Sequence, residues 1–281
     1  MDAIKKPNVN GLPQGYTEEQ LLQHYEIEKE LAGKLLRAPF LERRVLYSSL
    51  YDELFKRVTW HPQLQKKESG RNLLKQMQPL QPYLKPDSVL LEIGAGDCAL
   101  SFAAAKQVKK VYALDVSDVI TQHKQFPENV ELILSDGVSV PLPENSVDIA
   151  YSNQLMEHLH PEDALKQLSN IQSVLKPGGI YICITPNRIS GPHDISRYFD
   201  DIASGFHLKE YTFEDMKKIF REAGFNRVAA ITKIPFFPIS PLFPYILLEK
   251  WIRAIPRPWR KSVARQWFIQ RLLYIRILAV K

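Results

Sequence analysis

From Ser88 to its end, the chain alternates short apolar runs with stretches of helical periodicity, and this alternation restricts the fold more than any other feature. Short apolar runs bounded by turn residues read as strands buried on both faces. Helical stretches between them supply the crossovers that a parallel sheet requires. The candidate strands are residues 89–93, 110–114, 130–134, 147–152, 180–185, 227–233 and 274–280. The expectation is an α/β fold: a doubly wound, mostly parallel, seven-stranded sheet. Pro161 with Glu162 and Asp163 opens one covering helix, apolar residues recur at Leu165, Leu168 and Ile171, and Lys176-Pro177-Gly178-Gly179 is expected to stop it. Thr212 with Asp215 forms a capping box for a second helix that ends at Gly224.

Two regions lie outside this pattern. Residues 1–85 read as a Pro/Asn/Gly-rich arm of about fifteen residues followed by a helical cap that begins after Thr17 and is interrupted at Pro39 and Pro62. The prolines between Gln78 and Pro86 mark a linker into the core, residues 86–234. Some forty residues then separate the last two strands. A hairpin needs only a few, so residues 235–273 read as an insertion and residues 274–281 as the last core strand.

Composition narrows the class. Of 281 residues, 45% are hydrophobic and 24% charged, as in a soluble globular protein. The first residues carry no apolar run of the kind a secretory signal needs, so a cytoplasmic location is expected. Cys98 and Cys183 stand far apart without a CxxC partner or metal-ligand spacing, so neither disulfide nor metal is expected. The net charge is +6, but ten Lys or Arg against Glu249 give +9 over residues 233–281 and leave residues 1–232 at −3. Any anionic partner should therefore meet the C-terminal segment.

The chemistry concentrates at strand ends. Gly94 and Gly96 follow directly on the first strand, where a turn lets backbone N–H groups approach a ligand. That spacing also fits a dinucleotide site, and an NAD(P)-dependent oxidoreductase is the alternative. Glu92 separates the two. A carboxylate two residues before the first glycine repels a pyrophosphate but attracts the ammonium and sulfonium of S-adenosylmethionine. Asp115 ends the second strand, where it can accept from both ribose hydroxyls. Asp136, in Ser135-Asp136-Gly137 after the third strand, is expected to accept from the adenine amine.

With these residues in place, residues 88–232 resemble the class I S-adenosylmethionine-dependent methyltransferases, in particular the broad bacterial small-molecule branch. The resemblance rests on Glu92-x-Gly94-x-Gly96, Asp115, Asp136, the run 142–148, Glu157-His158-Leu159 and Leu175-Lys176-Pro177-Gly178-Gly179. It implies a Rossmann-like sheet and S-adenosyl-L-methionine as cofactor. Glu92, Gly94, Gly96, Asp115, Asp136, Gly137, Asn153, Gln154 and His158 are the implied cofactor contacts, and Tyr51-Asp52 resembles a tyrosine that closes over the cofactor. One departure is Cys98, where the family often carries a third glycine. No Asp/Asn-Pro-Pro-aromatic tetrapeptide follows the fourth strand, which argues against amino methylation of DNA, RNA or protein glutamine.

The long loop 186–211 holds the candidate catalytic groups, His193, His207 and Tyr211, with a histidine as possible general base for an oxygen nucleophile. The acceptor expected is a small molecule or a glycan- or lipid-linked one, and no nucleic acid. Phe236, Phe237, Phe243, Tyr245, Trp251, Trp259 and Trp267 stand in the insertion among Lys250, Arg253, Arg257, Arg260 and Lys261. They read either as a cap over the substrate pocket or as a peripheral contact with the inner face of a membrane, and on the second reading a non-catalytic membrane-associated cofactor-binding protein is a further alternative.

Overall fold

A computed structural model describes residues 12, 13, 15–65, 70–232 and 238–281. β1 (Val89–Ile93) lies inside the sheet and pairs in parallel with β2 (Lys110–Asp115) and β4 (Val147–Asn153). β3 (Val130–Leu134) extends the parallel array beyond β2, and β5 (Leu175–Thr185) extends it beyond β4. Three further strands complete it: β6 (Arg227–Ile231), β7 (Ile239–Ser240) and β8 (Ile275–Val280). The order is β3-β2-β1-β4-β5-β8-β6-β7, with β8 antiparallel to both of its neighbours.

The sheet thus has eight strands among the described residues where the sequence pattern gave seven. The addition, β7, pairs only Ala230 with Ser240 and Ile231 with Ile239, too short a run to register as a periodicity. Lys233, the expected end of β6, lies outside the described residues, as do residues 1–11 and 14 of the arm, residues 66–69 of the helical region, and Phe236 and Phe237.

Both faces of the sheet are covered, because successive side chains of β1 point to opposite sides. Leu91 and Ile93 pack on one face with Leu168 and Ile171 of α6 (Pro161–Val174) and Met216 and Phe220 of α7 (Phe213–Glu222). Leu90 packs on the other with Leu100 and Ala104 of α5 (Ala99–Ala105) and with Met77, the end of α4 (Gly70–Met77). The Thr212/Asp215 capping box and the turn at Gly224 are as expected. The stop of α6 differs. The helix ends at Val174, and Leu175 already pairs with Val147, so the glycine pair lies inside β5, where Gly179 accepts from the Lys281 N–H at 3.0 Å.

The N-terminal helices are clamped onto the core. α1 (Glu18–Arg37) starts in a capping box at Thr17; α2 (Phe40–Arg57) follows Pro39, and the short α3 (Pro62–Gln65) begins at Pro62. On α2, Arg43 Nε donates to Asp163 Oδ2 and its NH2 group to Asp163 Oδ1, both at 2.7 Å, while NH1 donates to the Ala38 carbonyl at 2.8 Å. Tyr47 Oη donates to the same Asp163 at 2.8 Å and accepts from the His160 N–H at 2.9 Å. Docked in this way, α2 roofs the carboxyl ends of β1 and β2.

The insertion forms α8 (Phe243–Ala254), α9 (Arg257–Ala264) and α10 (Trp267–Leu273). Glu249 of α8 ties it to the core, accepting from Asn187 Nδ2 at 2.7 Å and from the Phe213 N–H at 2.8 Å. No described helix is long and apolar enough to cross a membrane.

Candidate cofactor site

The carboxyl ends of β1 and β2, the roof of α2 and the turn after β4 enclose a cavity of about 940 Å³, counting its mouth. This is where open α/β sheets place ligands. Its polar wall includes Gly94, Gly96, Asp115, Gly137, Gln154 and His158, six of the nine expected cofactor contacts. Ile93, Leu114, Val116, Leu155 and Leu159 supply apolar walls, and Tyr47, Tyr51 and Phe55 close it from α2. Tyr51, which resembles a tyrosine that closes over the cofactor, lines this wall, and its neighbour Asp52 accepts from Ser117 Oγ at 3.1 Å.

The glycine loop is built around Asp115. Its Oδ2 accepts from the Gly96 N–H at 2.7 Å, and its Oδ1 accepts from the N–H groups of Val116 at 2.7 Å and Ser117 at 3.2 Å. Burial nevertheless pushes its pKa up, so hydroxyl donors from a ligand would relieve a desolvated carboxylate. A Cβ on Gly94 would meet Leu155 Cδ1 at 3.2 Å, whereas one on Gly96 would project into open space. Cys98, the departure from the glycine pattern, takes the left-handed conformation itself, with φ 58°. The loop keeps its shape at the cost of some backbone strain.

Glu92 lies behind this loop, buried and accepting from Ser101 Oγ. Burial pushes its pKa up to about 8. Its carboxyl therefore stays protonated in the folded chain while the unfolded chain loses its proton near pH 4.3. Stability falls between those two values, by about 1.4 kcal/mol per pH unit for this group alone. Glu92→Gln should remove that slope: the melting temperature of the ligand-free variant should rise relative to the parent from pH 5 to pH 8, and a constant difference would exclude the assignment.

Three expected contacts lie elsewhere. Glu92 acts from behind the loop. Asn153 lines a separate groove with Tyr151, Ile184 and Tyr274, because residues of β4 alternate faces and only the turn residue Gln154, at φ 57°, swings into the cofactor cavity. Asp136 is already engaged: it accepts from Arg44 Nε at 2.6 Å, from the N–H groups of Val138 and Ser139 at 2.9 and 2.7 Å, and from Ser139 Oγ at 2.9 Å. These donors hold its carboxyl down at about 2 despite burial. The sequence missed Gln167 of α6, which lines the cavity. Its Nε2 donates to the Gly137 carbonyl at 2.7 Å, and its buried Oε1 has no protein partner. Helical periodicity places Gln167 beside Leu168 but carries no sign that its amide faces a ligand.

The three catalytic candidates separate in space. His193 is pinned inside the loop, with Nε2 against the Asn187 carbonyl at 3.1 Å and its N–H donating to Glu210 at 2.6 Å. Tyr211 is fully buried in the main core, its hydroxyl without a partner. Neither lines the cofactor cavity. His207 comes closest, because its ring meets that of His158, a cavity residue, edge to face at 4.9 Å. Glu210 holds it at 2.9 Å and raises its pKa against the opposing effect of burial.

Comparison with known proteins agrees with this architecture. Residues 91–183 match the model of a methyltransferase domain. A probable S-adenosylmethionine-dependent methyltransferase of Mycolicibacterium smegmatis is 30% identical over 139 residues, 49% of this chain and 51% of that protein. The demethylmenaquinone methyltransferase of Staphylococcus haemolyticus is 24% identical over 208 residues, 64% of this chain and 83% of that protein. The chain spans about half the length of the first curated relatives it matches. A SAM-dependent methyltransferase from Archaeoglobus fulgidus shares the fold, with TM-score 0.50 at 21% identity over 84% of this chain and all of that one. So does the Haemonchus contortus phosphoethanolamine N-methyltransferase 2 solved with S-adenosylhomocysteine, with TM-score 0.51 at 19% identity over 75% of this chain and 52% of that one. The cavity fits such a cofactor: Asp115 offers oxygens, Gln167 an unpaired buried acceptor, and Glu92 a carboxyl behind the loop. Residues 91–183 thus match a methyltransferase domain, and the chain is similar in sequence to S-adenosylmethionine-dependent methyltransferases and shares their fold.

Proposed function

We propose that this chain transfers a methyl group to a small-molecule, glycan-linked or lipid-linked acceptor. The observation that carries this reading is the cavity over the carboxyl ends of β1 and β2, with Asp115 in its wall and apolar side chains around it. Bound there, the cofactor supplies a methyl group already activated by its sulfonium. The residues then have to bind, orient and exclude water. In this reading Asp115 holds the ribose, Gly94, Gly96 and Gln154 surround the methionine part, and the positive charge of the bound cofactor draws the proton off Glu92 behind the loop. Gln167 takes the adenine-amine role first assigned to Asp136, supported by its orphaned oxygen. His207 is the one catalytic candidate with a ring against a cavity residue. Incubation with methyl-tritiated cofactor and pools of hydroxylated lipids, glycolipids and small metabolites tests the activity. Label in a product 14 mass units heavier than its acceptor is expected, and label that never leaves the cofactor contradicts the reading.

A lipid-linked acceptor is favoured by the insertion. Tyr245 packs on Phe213, but Phe243, Trp251, Trp259 and Trp267 are 65%, 56%, 70% and 73% exposed. Phe243, Leu247 and Trp251 recur every four residues and so share one face of α8. Exposed aromatics beside an excess of cations suit an anionic membrane surface. Phe243→Ser with Trp251→Ser should abolish co-sedimentation with phosphatidylglycerol vesicles, binding that the parent loses at high salt. Equal sedimentation of parent and variant would contradict the membrane contact.

A further inference from the structure

His158 and His207 stand 49 residues apart in the sequence, yet the fold brings both to Glu157. One ligand-capable atom from each of the three lies within 4.8 Å of the other two. Each group is also oriented by a partner that leaves a lone pair free. His158 Nδ1 faces the Phe206 carbonyl at 3.0 Å, and a carbonyl only accepts, so Nδ1 carries the proton and Nε2 is free. His207 Nδ1 faces the Glu210 carboxylate at 2.9 Å, which leaves its Nε2 free in the same way. Glu157 Oε2 accepts from Thr185 Oγ1 at 2.8 Å, and its buried Oε1 has no protein partner. An imidazole whose second nitrogen donates to a carboxylate or carbonyl is the usual support of a metal-bound histidine.

A second histidine cluster, His24, Glu28 and His61, provides the contrast. Both ring nitrogens of His24 are engaged, by Tyr16 Oη at 2.9 Å and Glu28 Oε1 at 2.8 Å. The other oxygen of Glu28 accepts from the Phe206 N–H at 3.0 Å. That cluster is satisfied by the protein, whereas the first offers three unsatisfied donor atoms.

We propose that Glu157, His158 and His207 bind one divalent transition-metal ion, in the manner of a two-histidine, one-carboxylate site with open positions. Zinc bonds run to about 2.0–2.2 Å, which sets tetrahedral ligand atoms about 3.4 Å apart, so a pair at the 4.8 Å limit closes by about 1.4 Å to complete the ligand set. The site stands between two cavities: His158 lines the cofactor cavity, and His207 lines a second one with Arg188, Pro192, Leu208 and Glu210. This placement gives the ion a role that rests on the methyl-transfer reading. An acceptor hydroxyl bound at an open position loses its proton to solvent more readily. Its oxygen then forms the new C–O bond as the methyl carbon's bond to sulfur breaks, and the electron pair leaves on sulfur.

The whole 281-residue chain, stripped with a chelator and titrated with Co(II), then with Zn(II), tests the site. One Co(II) per chain, with visible absorption that Zn(II) displaces, is expected. Glu157→Gln and His207→Ala should each weaken binding at least tenfold, whereas His24→Ala should retain it. Absence of stoichiometric metal, or loss in His24→Ala with retention in the other two, overturns the proposal. If His207→Ala fails to fold, the isosteric Glu157→Gln variant decides it alone. S-adenosylhomocysteine titrated into the same samples separates the two readings: its binding without metal binding removes the ion only, and metal binding without it removes the methyl-transfer role only.

Discussion

Replacing Asp115 with alanine should lower the affinity for S-adenosylmethionine by at least about 100-fold. Hydrogen bonds to a charged acceptor contribute about 1.5–3 kcal/mol each, and the carboxylate is placed to take two from a ribose. The same substitution releases the Gly96 N–H, held at 2.7 Å, and with it the shape of the glycine loop. Asn at this position keeps one acceptor oxygen and should lose less, about tenfold. Calorimetric titration of each variant checks this, and an Asp115→Ala protein that still binds within threefold of the parent would remove Asp115 from the ribose role. Because the carboxylate already receives three backbone donors, thermal unfolding of the empty variant separates a lost contact from a collapsed loop.

The second large effect is on stability. Asp163→Ala leaves the guanidinium of Arg43, only 4% exposed, without its buried partner and with Glu162, itself 74% exposed, as its remaining carboxylate at 2.8 Å. Breaking one side of such a pair costs about 3–5 kcal/mol. In a domain of this size that is a fall in melting temperature of about 6–20 °C. Tyr47 loses an acceptor in the same step, and because it roofs the cofactor cavity, affinity should fall along with stability. Replacing both charged partners together, as Arg43→Met with Asp163→Leu, should recover part of the loss, since no charge is then left buried alone. A single variant as stable as the parent would mean that α2 is not held by this pair.

The parallel core was legible because each strand is a short apolar run and each covering helix has a cap or a stop in the sequence, as at Thr212 and Gly224. The two-residue β7 was not, since pairing that brief leaves no pattern. The strand-end residues of the cofactor cavity were legible because a glycine loop and a following carboxylate are local features. Asp136 stands outside the cavity wall for a tertiary reason: Arg44 arrives from α2, far away in the sequence, and pairs with the carboxylate. Gln167 and the grouping of Glu157, His158 and His207 were hidden for the same reason, because helix packing and a folded loop create them. Sequence spacing alone excluded a metal, but spacing speaks only to ligands that are neighbours along the chain.

Every role assigned to the cavity over β1 and β2 depends on which cofactor it binds. Isothermal titration of the full chain with S-adenosylmethionine, S-adenosylhomocysteine and NADH tests it most directly. One saturable site for the first two, lost in Asp115→Ala, and no heat from NADH are expected. Saturable binding of NADH with no response to either sulfur compound would contradict it.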